Sequence, residues 1–140
     1  MTRYIIASIA GGSLFAILDG LINGNPLAAS LYEAYRPIER TTINLWAGIL
    51  IDLIYGFVIA GIFLLVYRSL PGQYGLVKGL SFGLIVWFFR VVMDVASTWM
   101  MFTIPIKTLF YTLATGMVEM LILGLFFGAV IKPANQEPMN

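Results

Sequence analysis

The chain has 140 residues, of which 60% are hydrophobic and 11% charged, with a mean hydropathy of +0.92 and a net charge of +1. A soluble domain carries roughly 25% charged residues, so too few are present to cover a water-facing surface, and one integral membrane domain is expected. The absence of Cys and His excludes disulfides and thiolate nucleophiles and removes the commonest metal ligand, haem ligand and general base, so no metal or cofactor is expected.

The first apolar run, near 4–23, supplies the roughly 20 residues that a helix needs to cross a bilayer core. Arg3 in front of it imitates a signal peptide. Asp19 interrupts the run, however, and no small-residue cleavage site follows, so a retained helix is expected. The connection from 24 to 42 is the only long one. In "NGNPLAASLYEAY", Asn25 suits an N-cap and Pro26 a first helical position, while Leu27, Leu31 and Tyr35 recur every four residues. These features predict a short amphipathic helix at the outer membrane surface, read as an interfacial anchor in preference to a lid.

Three further apolar runs follow, near 43–67, 76–101 and 106–131, and their short connections "SLPGQYG" and "FTIPIK" make neighbouring helices antiparallel. Pro26, Pro37, Pro71, Pro105, Pro133 and Pro138 all fall in loops, ends or the polar tail of 133–140. Long unbroken runs do not fit the alternating segments of a membrane β-barrel. The expected fold is therefore all-α, an antiparallel four-helix transmembrane bundle over residues 1–132 with an interfacial helix between the first two spans. Arg3, Arg68, Lys78 and Lys132 on one side against Arg36, Arg40 and Lys107 on the other favour cytoplasmic termini in a cell membrane. No basic or acidic arm points to nucleic acid as a partner.

Five ionisable side chains fall within the spans: Asp19, Asp52, Arg90, Asp94 and Glu119. A charge at membrane depth costs about 3 kcal/mol on insertion scales, so such groups face protein or water and often mark function. At a rise of about 1.5 Å per residue, Asp52, Arg90 and Glu119 come out near the midplane, and Asp94 one turn nearer the outside. Polar residues extend the pattern at helical period: Thr108, Thr112, Thr115 and Glu119 on the fourth span; Arg90, Asp94 and Ser97 on the third; Asn44, Gly48, Asp52 and Tyr55 on the second; Asp19 and Asn23 on the first. All four stripes occupy the outer half.

The inner half carries small residues instead. Gly75, Gly79 and Gly83, and likewise Ser8 and Gly12, repeat at the spacing that lets helix backbones approach. The expectation is a bundle packed tight on the cytoplasmic side that splays outward into a vestibule floored by Asp52, Arg90 and Glu119 and lined by Asn44, Tyr55, Ser97, Thr112 and Thr115. Gly124 and Gly128 lie on the opposite face of the fourth span from Glu119, which makes them candidates for packing on another protomer or a partner subunit.

A structural ion pair between Arg90 and Asp94, at i,i+4 spacing, is the plainest reading of "FFRVVMD". It accounts for only part of the cluster, because one cation faces four carboxylates. Protonation, water or a bound cation must balance the rest. The aromatic residues have a blander account: Trp46, Trp99 and Tyr111 suit the outer interface, and Tyr67 and Tyr74 the inner one. Trp87, near the midplane, suits core packing better than a cation–π role. Met100 and Met101 are read as packing, not as soft metal ligands.

The Arg–Asn–Glu signature of small four-helix membrane enzymes that conjugate glutathione is absent from the second span. The stretches "LDGLINGNPLAASLYEAY", "DLIYG" and "KGLSFGL" resemble a group of uncharacterised small bacterial four-helix membrane proteins, and that resemblance implies the fold and no activity. Three functions then fit the residues. The first is binding or transport of a small cationic or polar solute, or a proton, with Asp52 and Glu119 as acceptors, Arg90 as organiser, and Asp94 and Asp19 beside them. The second is an accessory subunit of a larger membrane complex. The third, ranked last because no catalytic nucleophile is recognisable, is an intramembrane enzyme using carboxylates for acid–base work.

Overall fold

A computed structural model of the chain describes residues 2–40, 42 and 44–131, apart from the side chain of Arg3; Lys132 and the polar tail of 133–140 lie outside these residues. The described residues form helices and no strand, in the order α1 (Thr2–Asn23), α2 (Pro26–Leu31), α3 (Leu45–Val66), α4 (Gly75–Met101) and α5 (Ile106–Val130). Four of them, all but α2, are long and apolar enough to cross a membrane. Their bounds agree with the predicted runs to about two residues, the precision expected of helix ends. The exterior is itself apolar: Ile17, Leu50, Leu65, Phe89 and Phe110 are all exposed.

The long helices run alternately up and down in a ring: α1 packs on α3, α4 on α5 and α5 on α1, and α3 faces α4 through the Phe63–Phe82 contact. One end of the ring, here the distal end, carries α2 and the turn before α5; the proximal end carries the N-terminus and residues 67–74. Two of the seams are closed by small residues. A Cβ at Gly79 would overlap the carbonyl oxygen of Gly124, and Gly75 and Gly128 stand in the same relation, so α4 and α5 touch backbone to backbone. Along the α1–α3 seam, Gly12 and Gly56 do likewise, with a Cβ at Gly12 reaching 2.9 Å from the Cα of Leu53.

Gly124 and Gly128 are thus buried against α4 within the chain. The expectation that they serve another protomer is corrected. The sequence correctly placed them away from Glu119, but that face of α5 turns toward α4, whose own glycines receive them.

The α3–α4 seam is different. Phe63 of α3 meets Phe82 of α4 edge-on, with ring centroids 5.1 Å apart, and these large side chains hold the two helices apart. The proximal half is therefore tight on two seams and open on this one, where uniform tight packing was expected. The turn below it depends on Gly72, whose φ of +108° is a backbone conformation that a side chain would strain.

The distal end is organised by α2. Asn25 caps it by accepting from the Ala28 N–H, with Pro26 in the first turn, as the sequence predicted. A 3₁₀ segment, Tyr32–Ile38, continues it. Thr108 of α5, fully buried, donates to the Leu31 carbonyl at 2.8 Å, and the Tyr111 hydroxyl donates to the Ile22 carbonyl at 2.7 Å. Asn25 also donates to Tyr111 at 2.9 Å. The 24–42 connection is therefore seated on the end of the bundle by α5, with Ala28 and Leu31 buried and Leu27 exposed.

Candidate functional site

Helix α4 is not α-helical throughout. Residues Phe88–Val92 form a π-helical turn, in which the Met93 N–H reaches back five residues to the Phe88 carbonyl. Such a turn inserts one extra residue into the helix and is found mainly at functional sites. Val91, the fourth residue of the turn, seats against the notch left by Gly116, where a Cβ would come within 2.8 Å of the valine methyls. Just before the turn, the Trp87 indole donates to the Leu113 carbonyl at 3.0 Å. The π turn is thus pinned to α5 on both sides of Arg90.

Arg90 reaches Glu119 of α5, its Nη1 standing 3.4 Å from Oε2. Its guanidinium carbon also lies 4.8 Å from the ring centroids of both Phe15 and Tyr55, a stacked pair that joins α1 to α3 at 4.9 Å. Cation–π attraction of this kind offsets part of the cost of removing an arginine from water. The predicted Arg90–Asp94 pair does not form. The extra residue of the π turn offsets the two side chains from the alignment that i,i+4 residues have in a regular helix.

Glu119 is the most enclosed charged group among the described residues, at 4% exposure. Its Oε1 is buried with no hydrogen-bond partner. A carboxyl oxygen in that state carries an uncompensated desolvation cost of roughly 1–3 kcal/mol, which a cationic or protonic partner would remove.

Glu119 and Arg90 stand at the base of a polar cavity of about 380 Å³ in the distal half, lined also by Asp19, Asn23, Tyr32, Asp94, Thr112 and Thr115. Asn23 donates to the Asp19 carboxylate at 2.8 Å. The Thr112 and Thr115 hydroxyls donate to backbone carbonyls one turn back, which leaves their oxygens able to accept within the cavity. Three acids therefore share this space with one cation. Among the described residues no three acidic side chains converge closely enough to share one metal ion.

Six of the predicted site residues come together here: Asp19, Arg90, Asp94, Thr112, Thr115 and Glu119. The other four do not line this cavity. Asn44 caps α3, accepting from the Ala47 N–H at 3.2 Å, and is exposed. Ser97 is exposed and bonds back to the Met93 carbonyl. Asp52 is half-buried, and the α3 backbone beside it packs against Gly12. Tyr55 touches Arg90 from the other side. The reason is common to the α3 residues: above Asp52, residues 44–51 are exposed on every side, and the distal half of α3 does not wall the vestibule. Tyr32, at the start of the 3₁₀ segment, takes that place and is the one residue of the 24–42 connection in the lining. Burial pushes the Tyr32 phenol above its ordinary value of 10.0.

Sequence reasoning missed Phe15, Tyr55 as an arginine contact, and Tyr32. Only Phe15 left a signal, four residues before Asp19 on the same face of α1.

A second cavity, of about 570 Å³, fills the open α3–α4 seam in the proximal half. Its walls are Val58, Ile62 and Val66 of α3 and Phe82, Ile85 and Phe89 of α4, with Tyr55 and Arg90 at its distal end. Arg90 is the residue common to both linings. No family model, curated protein or solved structure matches the chain.

Proposed function

We propose that the chain is a multi-pass protein of the cell membrane, with both termini cytoplasmic, whose vestibule binds a small cationic solute for transport. The observation that carries this reading is the buried, unpartnered Oε1 of Glu119 at the base of a polar cavity. Arg90 offsets one of the three acids, and the remaining charge favours a cation over an anion. The absence of a three-acid cluster among the described residues favours an organic ammonium, or a proton, over a bare metal ion. Neither binding nor transport needs an activated nucleophile, and the Thr112 and Thr115 hydroxyls of the cavity donate to backbone carbonyls, not to a base, so an enzymatic role ranks below them.

The test is calorimetric titration of the full chain in phosphatidylcholine nanodiscs with ethylammonium chloride, against empty discs. Saturable binding is expected, weakened about tenfold by Glu119→Gln, the loss of one charge-assisted hydrogen bond. Absent binding, or binding indifferent to Glu119→Gln, overturns the reading. The proton arm is tested in proteoliposomes carrying a pH dye, where flux is expected to disappear with the same variant.

A second reading, an oligomer or a subunit of a larger complex, is favoured by the distal half of α3, exposed all round at residues 44–51 and carrying the polar Asn44 and the open Gly48. Native mass spectrometry of the purified chain distinguishes the two, because a strictly monomeric species without co-purifying protein removes it.

A further inference from the structure

We propose that the vestibule and the α3–α4 groove form one binding site for a single-chain cationic amphiphile, with its ammonium head at Glu119 and its alkyl tail in the groove. This deepens, and rests on, the reading of the vestibule as a cation site.

Three observations lead there. The groove is lined almost wholly by apolar side chains and is of a size typical of small-molecule sites, roughly 300–1,000 Å³. It ends at Arg90, which also lines the vestibule, so the apolar and the polar cavity abut at a single side chain. That side chain is held by aromatic rings on one side and by a long 3.4 Å contact to Glu119 on the other.

Charge selects the head. An anionic head at Arg90 would compete with Glu119 and add a fourth negative charge to the space shared with Asp19 and Asp94. An ammonium donates to the vacant Oε1 of Glu119 and leaves Arg90 on Oε2. The groove selects the tail. An unbranched chain fits between Ile62 and Ile85, where Phe63 and Phe82 keep the helices from closing. The occupant is thus an alkylammonium entering laterally, and not the acyl chain of a bilayer phospholipid, whose phosphate would have no free cation to meet in the vestibule.

The experiment titrates the full chain in nanodiscs with ethylammonium, octylammonium and octyl sulfate, for the wild type and for Ile85→Trp and Ile62→Trp, which fill the groove from opposite walls. Comparing one probe across variants cancels its partition into the bilayer. Groove filling is expected to weaken octylammonium about tenfold and ethylammonium by no more than about twofold. Retained ethylammonium binding also reports that a variant is folded. If octylammonium is unaffected by both variants, or octyl sulfate binds as tightly, the shared site is overturned while the cation vestibule stands. If neither ammonium binds the wild type, both fall. A measurement without any variant completes the test. An octylamine with a terminal diazirine is expected to label residues 58–66 and 82–89 about tenfold over the lipid-facing Ile17 and Leu50. Even labelling of all helices, or label displaced equally well by a phospholipid, overturns the proposal.

Discussion

The α4–α5 and α3–α4 seams join antiparallel neighbours in the same ring and are built on opposite plans. Along the first, glycine meets glycine and the backbones touch. Along the second, phenylalanine meets phenylalanine and a cavity remains. Small residues bring two backbones together where the partner is small as well, as with Gly79 and Gly124, and opposite a larger residue they leave a notch, as Gly116 does for Val91. In a bilayer the alternative to helix contact is lipid of equal apolarity, so van der Waals fit decides the outcome. The glycines of α3 make the point within one helix: Gly56 is clamped on Gly12, whereas Gly48 has nothing within 4 Å of where a Cβ would be.

The largest expected effect strikes the closed seam. Gly79→Leu drives a side chain into the Gly124 backbone, which cannot yield as a flexible side chain can. A loss of about 3 kcal/mol or more is expected, measured as a collapse of thermal stability in detergent. An unchanged melting temperature would mean that the seam is looser than described.

Next comes the point where the open seam meets the vestibule. Arg90→Leu leaves Glu119 buried without its cation and is expected to cost about 2 kcal/mol. The partial exposure of the Arg90 side chain, 36%, keeps the loss below that of a fully buried pair. Arg90→Leu with Glu119→Leu is expected to recover most of it, since both partners of the pair then become apolar. A double variant no better than the single one would show that Arg90 acts through Phe15 and Tyr55 instead.

The smallest effect has the opposite sign. Gly48→Ala adds a methyl group to open space in a helix and is expected to stabilise the fold by about 0.5–1 kcal/mol. If it destabilises, a surface from outside the chain packs there, which is the signature of an oligomer or partner.

The fold was legible because its signals are local. Apolar runs of the right length, Asn25 with Pro26, and the confinement of Pro71 and Pro105 to connections each report on their own neighbourhood. The fourth span's stripe was legible for the same reason: α5 is regular from Ile106 to Val130, so Thr112, Thr115 and Glu119 keep their common face. What failed was relational. Nothing in "FFRVV" announces the π turn, so helical spacing alone pairs Asp94 with Arg90 and puts Ser97 in the vestibule. That α3 packs on α1 at Gly56 and is bare at residues 44–51 is set by its partner helix, so its own stripe puts Asn44 and Asp52 on a wall that Tyr32 supplies. The partners of Gly124 and Gly128 required knowing which neighbour faces them.

The π turn at Phe88–Val92 also has a bearing on how α4 can be altered. One surplus residue turns everything after it by about 100° relative to everything before it. The two halves of α4 therefore keep separate bearings, like two dials on one shaft. The proximal dial is fixed by glycines against α5; the distal dial aims Asp94 into the cavity and Ser97 away from it. A one-residue deletion in this turn would leave a continuous helix with every proximal contact in place, yet present the vestibule with a different set of side chains.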